Sequence, residues 1–360
     1  MPLVLAPMDL IVPTDRGLYC AAGDFHIDPW RPVARALITH AHGDHARFGS
    51  DLYVCHRDTA PILRKRLGDV AIESADYGER LIRDGVEISF HPAGHVLGSA
   101  QIRVAHRGEV WVASGDYKLE NDGVAIAFEP QRCDVFITES TFGLPIYRWR
   151  PQAENYAAID AWWRDNSAAG RASMLYAYAL GKAQRVIAHV DASIGPIVCH
   201  GAVEPINALY RQAGVALPKT LLVGDPRSPG SDPRTIRGDG KRGFAGALIV
   251  APPSAMASPW LKRFGDYSDA LASGWMQVRG NRRRRGLDRG FALSDHADWP
   301  GLLAAIEATG AERVLATHGA VGPLTRYLRE KGLDAKILPT LYGEEEAAAD
   351  DASPPEERLP

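Results

Sequence analysis

The sequence predicts an α/β protein in which a unit with a parallel sheet is inserted into a mostly β first domain. Three observations predict it. Up to about residue 145, short β-like runs alternate with Gly, Pro and Asp turns. From about Gln152, longer helical stretches alternate with apolar runs, the pattern of a parallel sheet. From about Gly290, the His/Asp-bearing turns of the first segment return, so one domain is interrupted by another.

In chain order, the β-like runs of the first segment are residues 17–20, 25–27, 35–39, 52–55, 86–90, 99–105, 110–113 and 135–138. Each carries β-branched or aromatic residues, and turns containing Gly, Pro or Asp lie between them. One stretch there, 56–67, has helical character. The second segment offers helices at 154–166, 182–190 and 203–211, interleaved with β-like runs at 173–178, 197–199 and 247–251. The expected domains are therefore 1–150 with 290–343, an inserted 151–289, and a solvated tail at 344–360 that is rich in Ala, Pro and Glu and poor in apolar residues.

Composition narrows the class. The 360 residues are 46% hydrophobic, enough for a large core. No apolar run approaches the ~20 residues of a membrane span, and the N-terminus lacks the basic start and apolar core of a signal peptide. A cytoplasmic location without membrane contact is expected. Four cysteines (Cys20, Cys55, Cys133, Cys199) lack the paired spacing of a zinc ribbon or disulfide framework. The net charge of −3 conceals a split, because the tail holds seven acidic residues and one arginine. The rest is mildly basic, and part of that charge sits in the run Arg282, Arg283, Arg284 and Arg285.

The stretch Thr39-His40-Ala41-His42-Gly43-Asp44-His45 sets three histidines and a carboxylate in seven residues after an apolar run. Imidazole nitrogen and carboxylate oxygen form the ligand set that zinc or manganese prefers, and a turn after a strand lets alternate residues converge. Two more glycine turns carry one ligand-type residue each, His95 in "AGHVLGSA" and Asp116 in "SGDY". With them, the chain has enough ligands for two divalent metal ions.

The ordered motifs "THAHGDH", "AGHVLGSA", "SGDY", "TESTFG", "YALGKAQ", "LSDHADW" and "THGAVG" resemble those of the β-CASP nucleases of the metallo-β-lactamase superfamily. That group includes ribonuclease J, the cleavage subunit of eukaryotic mRNA 3′-end processing, and the Artemis-type DNA nucleases. More narrowly, "YCAAGDFHIDPWRP", "APPSAMASPWLKRFG" and "GWMQVRGNRRRR" are similar to bacterial exonucleases encoded beside an ATP-dependent DNA ligase and a helicase.

The resemblance implies an αββα sandwich with an inserted β-CASP domain. It implies one metal on His40, His42 and His95, a second on Asp44, His45 and His318, and Asp116 as the bridge. Zn²⁺ is the first expectation and Mn²⁺ the second. Asp28 would support the ligands from behind. His296, with Glu139 holding its ring, would act at the leaving oxygen. The implied reaction is phosphodiester hydrolysis on DNA in repair, with an RNA-processing nuclease as the alternative, since His318 stands where Artemis-type enzymes tend to have valine. Phosphate contacts are expected from Arg282–Arg285, because arginine forks suit phosphate oxygens, and from Ser254.

Overall fold

In the computed structural model the described residues are 9–223, 235–236 and 244–341. The acidic tail expected to be solvated lies outside them. They divide into two compact units, one running to Ile146 and resuming at His296, the other spanning Tyr147–Asp295. No helix among the described residues is long and apolar enough to cross a membrane.

The first unit opens with β1 (Val12–Pro13), β2 (Leu18–Cys20), β3 (Phe25–Ile27), β4 (Arg35–Ile38), β5 (Leu52–His56) and, after helix α1 (Ala60–Leu67), β6 (Ile72–Ala75). These six strands form one sheet in sequence order, antiparallel through β3 and parallel from β3 to β6. The helix expected over 56–67 starts four residues late. His56 is still paired in β5, and Pro61 fits the first turn, where its missing N–H costs nothing.

The chain continues through β7 (Leu81–Arg83), β8 (Val86–Pro92), β9 (Ala100–His106), β10 (Glu109–Ala113) and β11 (Val135–Ser140) before leaving for the second unit. That unit holds α2 (Gln152–Ala168), β12 (Ala172–Tyr176), α3 (Lys182–His189), β13 (Ile197–Cys199), α4 (Glu204–Gln212), β14 (Thr220–Val223), β15 (Thr235–Ile236), β16 (Leu248–Ala251), β17 (Tyr267–Ala272), α5 (Arg279–Arg284) and β18 (Arg289–Phe291). Its seven strands run in the order β15-β14-β13-β16-β12-β17-β18, every pair parallel. Both faces are apolar, as a parallel sheet requires. Leu175, Leu248 and Val250 pack with α2 and α3, while Met174, Ile249 and Leu271 pack with Phe244 and Phe264.

Returning, the chain forms α6 (Trp299–Thr309), β19 (Arg313–Gly319), α7 (Val321–Glu330) and β20 (Asp334–Ile337). The last two strands extend the second sheet of the first unit, ordered β20-β19-β11-β10-β9-β8-β7. Alternation along β10 and β11 sorts its faces. Trp111, Ala113, Val135 and Ile137 join Phe25, Ile27, Leu37 and Val54 of the first sheet in one core. Val112 and Phe136 face Leu302 and Ile306 of α6 and Leu324 and Leu328 of α7. Two sheets thus share a core, with helices on the outer face of the second. That arrangement is α/β, and it brings the ends of β4, β10, β11 and β19 to one rim.

Candidate metal centre

The residue after β4 fixes the first ligand loop. Thr39 donates its backbone N–H to Asp28 Oδ1 at 2.8 Å and its hydroxyl to Asp28 Oδ2 at 2.5 Å. Asp28 Oδ2 also accepts from His45 Nδ1 at 2.7 Å. That bond puts the proton on Nδ1 and leaves Nε2 as the ligating nitrogen of His45. Helix α1 braces two ligand turns: Arg66 Nη1 donates to Ala41 O of this loop at 2.7 Å, and its N-cap Thr59 donates Oγ1 to Gly98 O of the turn that carries His95 at 2.8 Å.

His95 arrives on the turn after β8. Gly94 has φ +76°, and a Cβ there would lie 2.2 Å from Lys118 O, so a side chain would push His95 away. Ser99 Oγ accepts from the His95 and Val96 backbone N–H groups at 3.0 and 3.1 Å. His318 sits at the turned end of β19 with φ +58°. Its carbonyl accepts from Ser140 Oγ, and Gly319 follows where a Cβ would meet Ser140 O at 2.5 Å. A register shift in β11 between Thr138 and Ser140 lies beside this turn and carries Glu139.

Two groups of ligand atoms result. His40, His42, His95 and Asp116 form one, and Asp44, His45 and His318 the other, with all atoms of each group within 4.8 Å of one another. His42 Nδ1 lies 3.1 Å from both His40 Nε2 and His95 Nε2. Nitrogens bound tetrahedrally to zinc at their usual distance would be about 3.3 Å apart. Asp116 Oδ2 lies 3.5 Å from His40 Nε2, 3.5 Å from His45 Nε2 and 3.7 Å from His95 Nε2, so it faces both groups. Asp116 Oδ1 and Asp44 Oδ2 are buried with no hydrogen-bond partner among the described residues. Buried carboxylate oxygens rarely go unsatisfied, and divalent cations at these positions would satisfy them. The residues fit a metal pair.

Burial and crowding shape the protonation of the metal-free cluster. Burial holds His40 neutral well below the usual histidine range, and the neighbouring histidines push it the same way. Burial opposes the charged form of His45 too, but Asp44, Asp116 and Asp28 together hold it well above that range. Burial pushes Asp116 up to about 7. Cations must displace these protons. Metal affinity is therefore expected to rise with pH through neutrality, changing about tenfold per pH unit for each proton displaced. Competition titrations against a chelator at several pH values check it; a flat profile between pH 5 and 8 would contradict it.

Next to the cluster, His296 Nδ1 lies 2.9 Å from Glu139 Oε2 and 3.1 Å from Oε1, with both residues buried. Glu139 Oε1 also accepts from the Tyr117 backbone N–H at 2.8 Å. Burial alone would raise the Glu139 pKa, but the His296 charge and these hydrogen bonds hold it below the usual range. The His296 ring lies 4.6 Å from that of His95, centroid to centroid. Asp116, Glu139 and His296 could themselves form a ligand group. The direct Glu139–His296 contact instead makes them a hydrogen-bonded pair with no room for an ion between.

Other expected site residues lie in the second unit. Ser254 is exposed in a short 3-10 helix, Pro253–Ala255. Arg283 and Arg284 are exposed near the end of α5, Arg285 just beyond it is half-buried, and the Arg282 side chain is outside the described part. Sequence spacing assigns no role to Thr39, Ser99, Ser140 or Arg66, although the first three fall inside the ordered motifs. Their bonds go to backbone or to residues distant in the chain, which spacing does not reveal.

No protein-family model matches the chain. It is 31% identical over 324 residues to a probable DNA ligase of Opitutus terrae, a match covering 89% of this chain and 30% of that one. It is 32% identical over 122 residues to the endoribonuclease ysh1 of Schizosaccharomyces pombe, covering 33% of this chain and 16% of that one. Both similarities support the superfamily that the motif order resembles. The chain spans less than a third of the length of these relatives. Among solved structures, a protein of unknown function from Enterococcus faecalis V583 matches with a TM-score of 0.59 at 13% identity, covering 85% of this chain and 79% of that one. That likeness bears on the fold alone.

Proposed function

We propose that this chain is a metal-dependent nuclease of the β-CASP group in the metallo-β-lactamase superfamily, an exonuclease acting on DNA in repair. One observation carries the reading: two ligand groups facing Asp116 stand beside a buried Glu139–His296 pair. A small-molecule hydrolase would have no evident use for that pair. His40, His42, His95 and Asp116 would hold one divalent ion and Asp44, His45, His318 and Asp116 the other, Zn²⁺ before Mn²⁺. When bound, the pair supplies positive charge for phosphate oxygens and a lowered pKa for the attacking water.

The chain's own groups do the rest. Asp28 holds the His45 tautomer through the Nδ1 hydrogen bond. Glu139 holds the His296 ring by Nδ1, so Nε2 is the nitrogen that would give a proton to the leaving O3′. The expected products are a 5′-phosphate and a 3′-hydroxyl. DNA is favoured because the match to the probable DNA ligase runs through nearly the whole chain, whereas the endoribonuclease match covers a third. That same match supports a functional association with a DNA ligase, and a helicase belongs to the same proposal. RNA is the second reading, carried by His318 and by the endoribonuclease similarity.

Labelled DNA and RNA single strands of one sequence, incubated with the protein and Zn²⁺ or Mn²⁺, test the proposal. Shortening of DNA from an end is the expected result. Faster cleavage of RNA would replace the substrate, and cleavage of neither would overturn the reading. Arg282–Arg285 and Ser254 are proposed phosphate contacts in the same reaction. Replacing the four arginines with alanine should weaken binding several-fold and flatten the log–log salt slope by about 0.7 for each phosphate no longer held. An unchanged slope would make the run a solvated surface.

A further inference from the structure

The turn that follows the ligand motif presents two features the metal centre does not use. Phe48 is 71% exposed, the most exposed of the large apolar side chains among the described residues. Its neighbour Arg47 is half-buried, and its Nε is shielded from solvent with no hydrogen-bond partner among the described residues. A covered N–H is out of a ligand's reach, so an acceptor from outside would meet the half-buried Arg47 side chain through its Nη groups.

The turn is braced. Ala46 N donates to His42 O at 2.9 Å, and the buried Tyr53 of β5 donates its hydroxyl to Arg47 O at 2.6 Å while accepting from Ser50 N at 3.2 Å. Arg66 adds a long bond to Ala46 O at 3.4 Å. These ties hold Phe48 out from a fixed backbone, two residues beyond Arg66's anchor and three beyond His45. The end of α1, tied to this turn through Arg66, carries the exposed Arg64, Lys65 and Arg66. An exposed aromatic side chain that follows an arginine in a fixed turn offers a stacking face for a base and a donor for its backbone phosphate.

We propose that this turn is a nucleotide subsite for single-stranded nucleic acid, with Arg47 binding a backbone phosphate and Phe48 stacking an unpaired base. The inference rests on the nuclease reading and deepens it by naming the strand class. A base inside a duplex has both faces occupied by its neighbours and offers none to Phe48.

The test is fluorescence anisotropy with a labelled phosphorothioate oligonucleotide, single-stranded and as a blunt duplex, on the full chain loaded with Zn²⁺. Phe48→Ala should weaken single-strand binding by about 5- to 100-fold, with a much smaller change on the duplex, and Phe48→Trp should restore it. Arg47→Ala should weaken single-strand binding and reduce the log–log salt slope by about 0.7, with Arg47→Lys keeping the slope. Equal losses on both forms, or none on either, would overturn the subsite. Wild-type protein that neither binds nor cuts any strand would instead overturn the nuclease reading itself.

Discussion

Replacing His296 with alanine is expected to lower turnover on DNA by about 10²–10⁴-fold, the usual range for loss of a general acid. Metal content and substrate affinity should stay near wild type. The pair with Glu139 explains this separation. A ring held by Nδ1 against a buried carboxylate is fixed in orientation beside a negative charge, so the proposed contribution of His296 falls in the transition state, as the leaving oxygen gathers charge. Glu139→Gln keeps an acceptor for Nδ1 but removes the charge that favours the imidazolium, and a smaller loss in the same direction follows. Single-turnover rates beside elemental analysis make the comparison. Loss of metal in His296→Ala would make it a ligand, and an unchanged rate would deny it a part in the chemistry.

The second large effect is expected from Asp28→Asn. Asp28 accepts from three donors, namely Thr39 N–H, Thr39 O–H and His45 Nδ1–H. An amide has one acceptor oxygen, so its NH₂ must face one of those donors. Turning toward His45, it would favour the tautomer with its proton on Nε2, the nitrogen that should bind the ion. Metal affinity at the Asp44–His45–His318 group should drop about 10–100-fold. The backbone supports this choice of variant, since Asp28 has φ +42° and asparagine is at ease in the left-handed region. Retained affinity in a folded Asp28→Asn protein would show that His45 does not depend on this bond.

Much of the frame is legible in the sequence because its strands are short, apolar and cut off by turn residues. The expected run 25–27 and the observed β3 coincide, as do 197–199 and β13. β6 and β7 do not stand out in the sequence. Ile72–Ala75 and Leu81–Arg83 carry charged residues, and Glu73 and Arg83 pair with each other, so these segments read as solvated turns until a neighbouring strand claims their backbone. β17, Tyr267–Ala272, is equally hidden, since it contains Asp269 and follows a stretch dense in turns. At the site, ligand-type residues can be named from spacing and resemblance. The support around them cannot: Asp28 reaches His45 across seventeen positions, and Ser140 reaches the His318 carbonyl across 178. Those contacts exist only once β4, β11 and β19 end at one rim.

The metal content of the protein as isolated, determined by elemental analysis beside Asp116→Ala, tests the central claim most directly. The wild-type chain should hold about two divalent ions, and the variant should lose both or bind them far more weakly, because one carboxylate faces both ligand groups. Wild-type protein that takes up no metal, or an Asp116→Ala protein that keeps both ions at undiminished affinity, would contradict it.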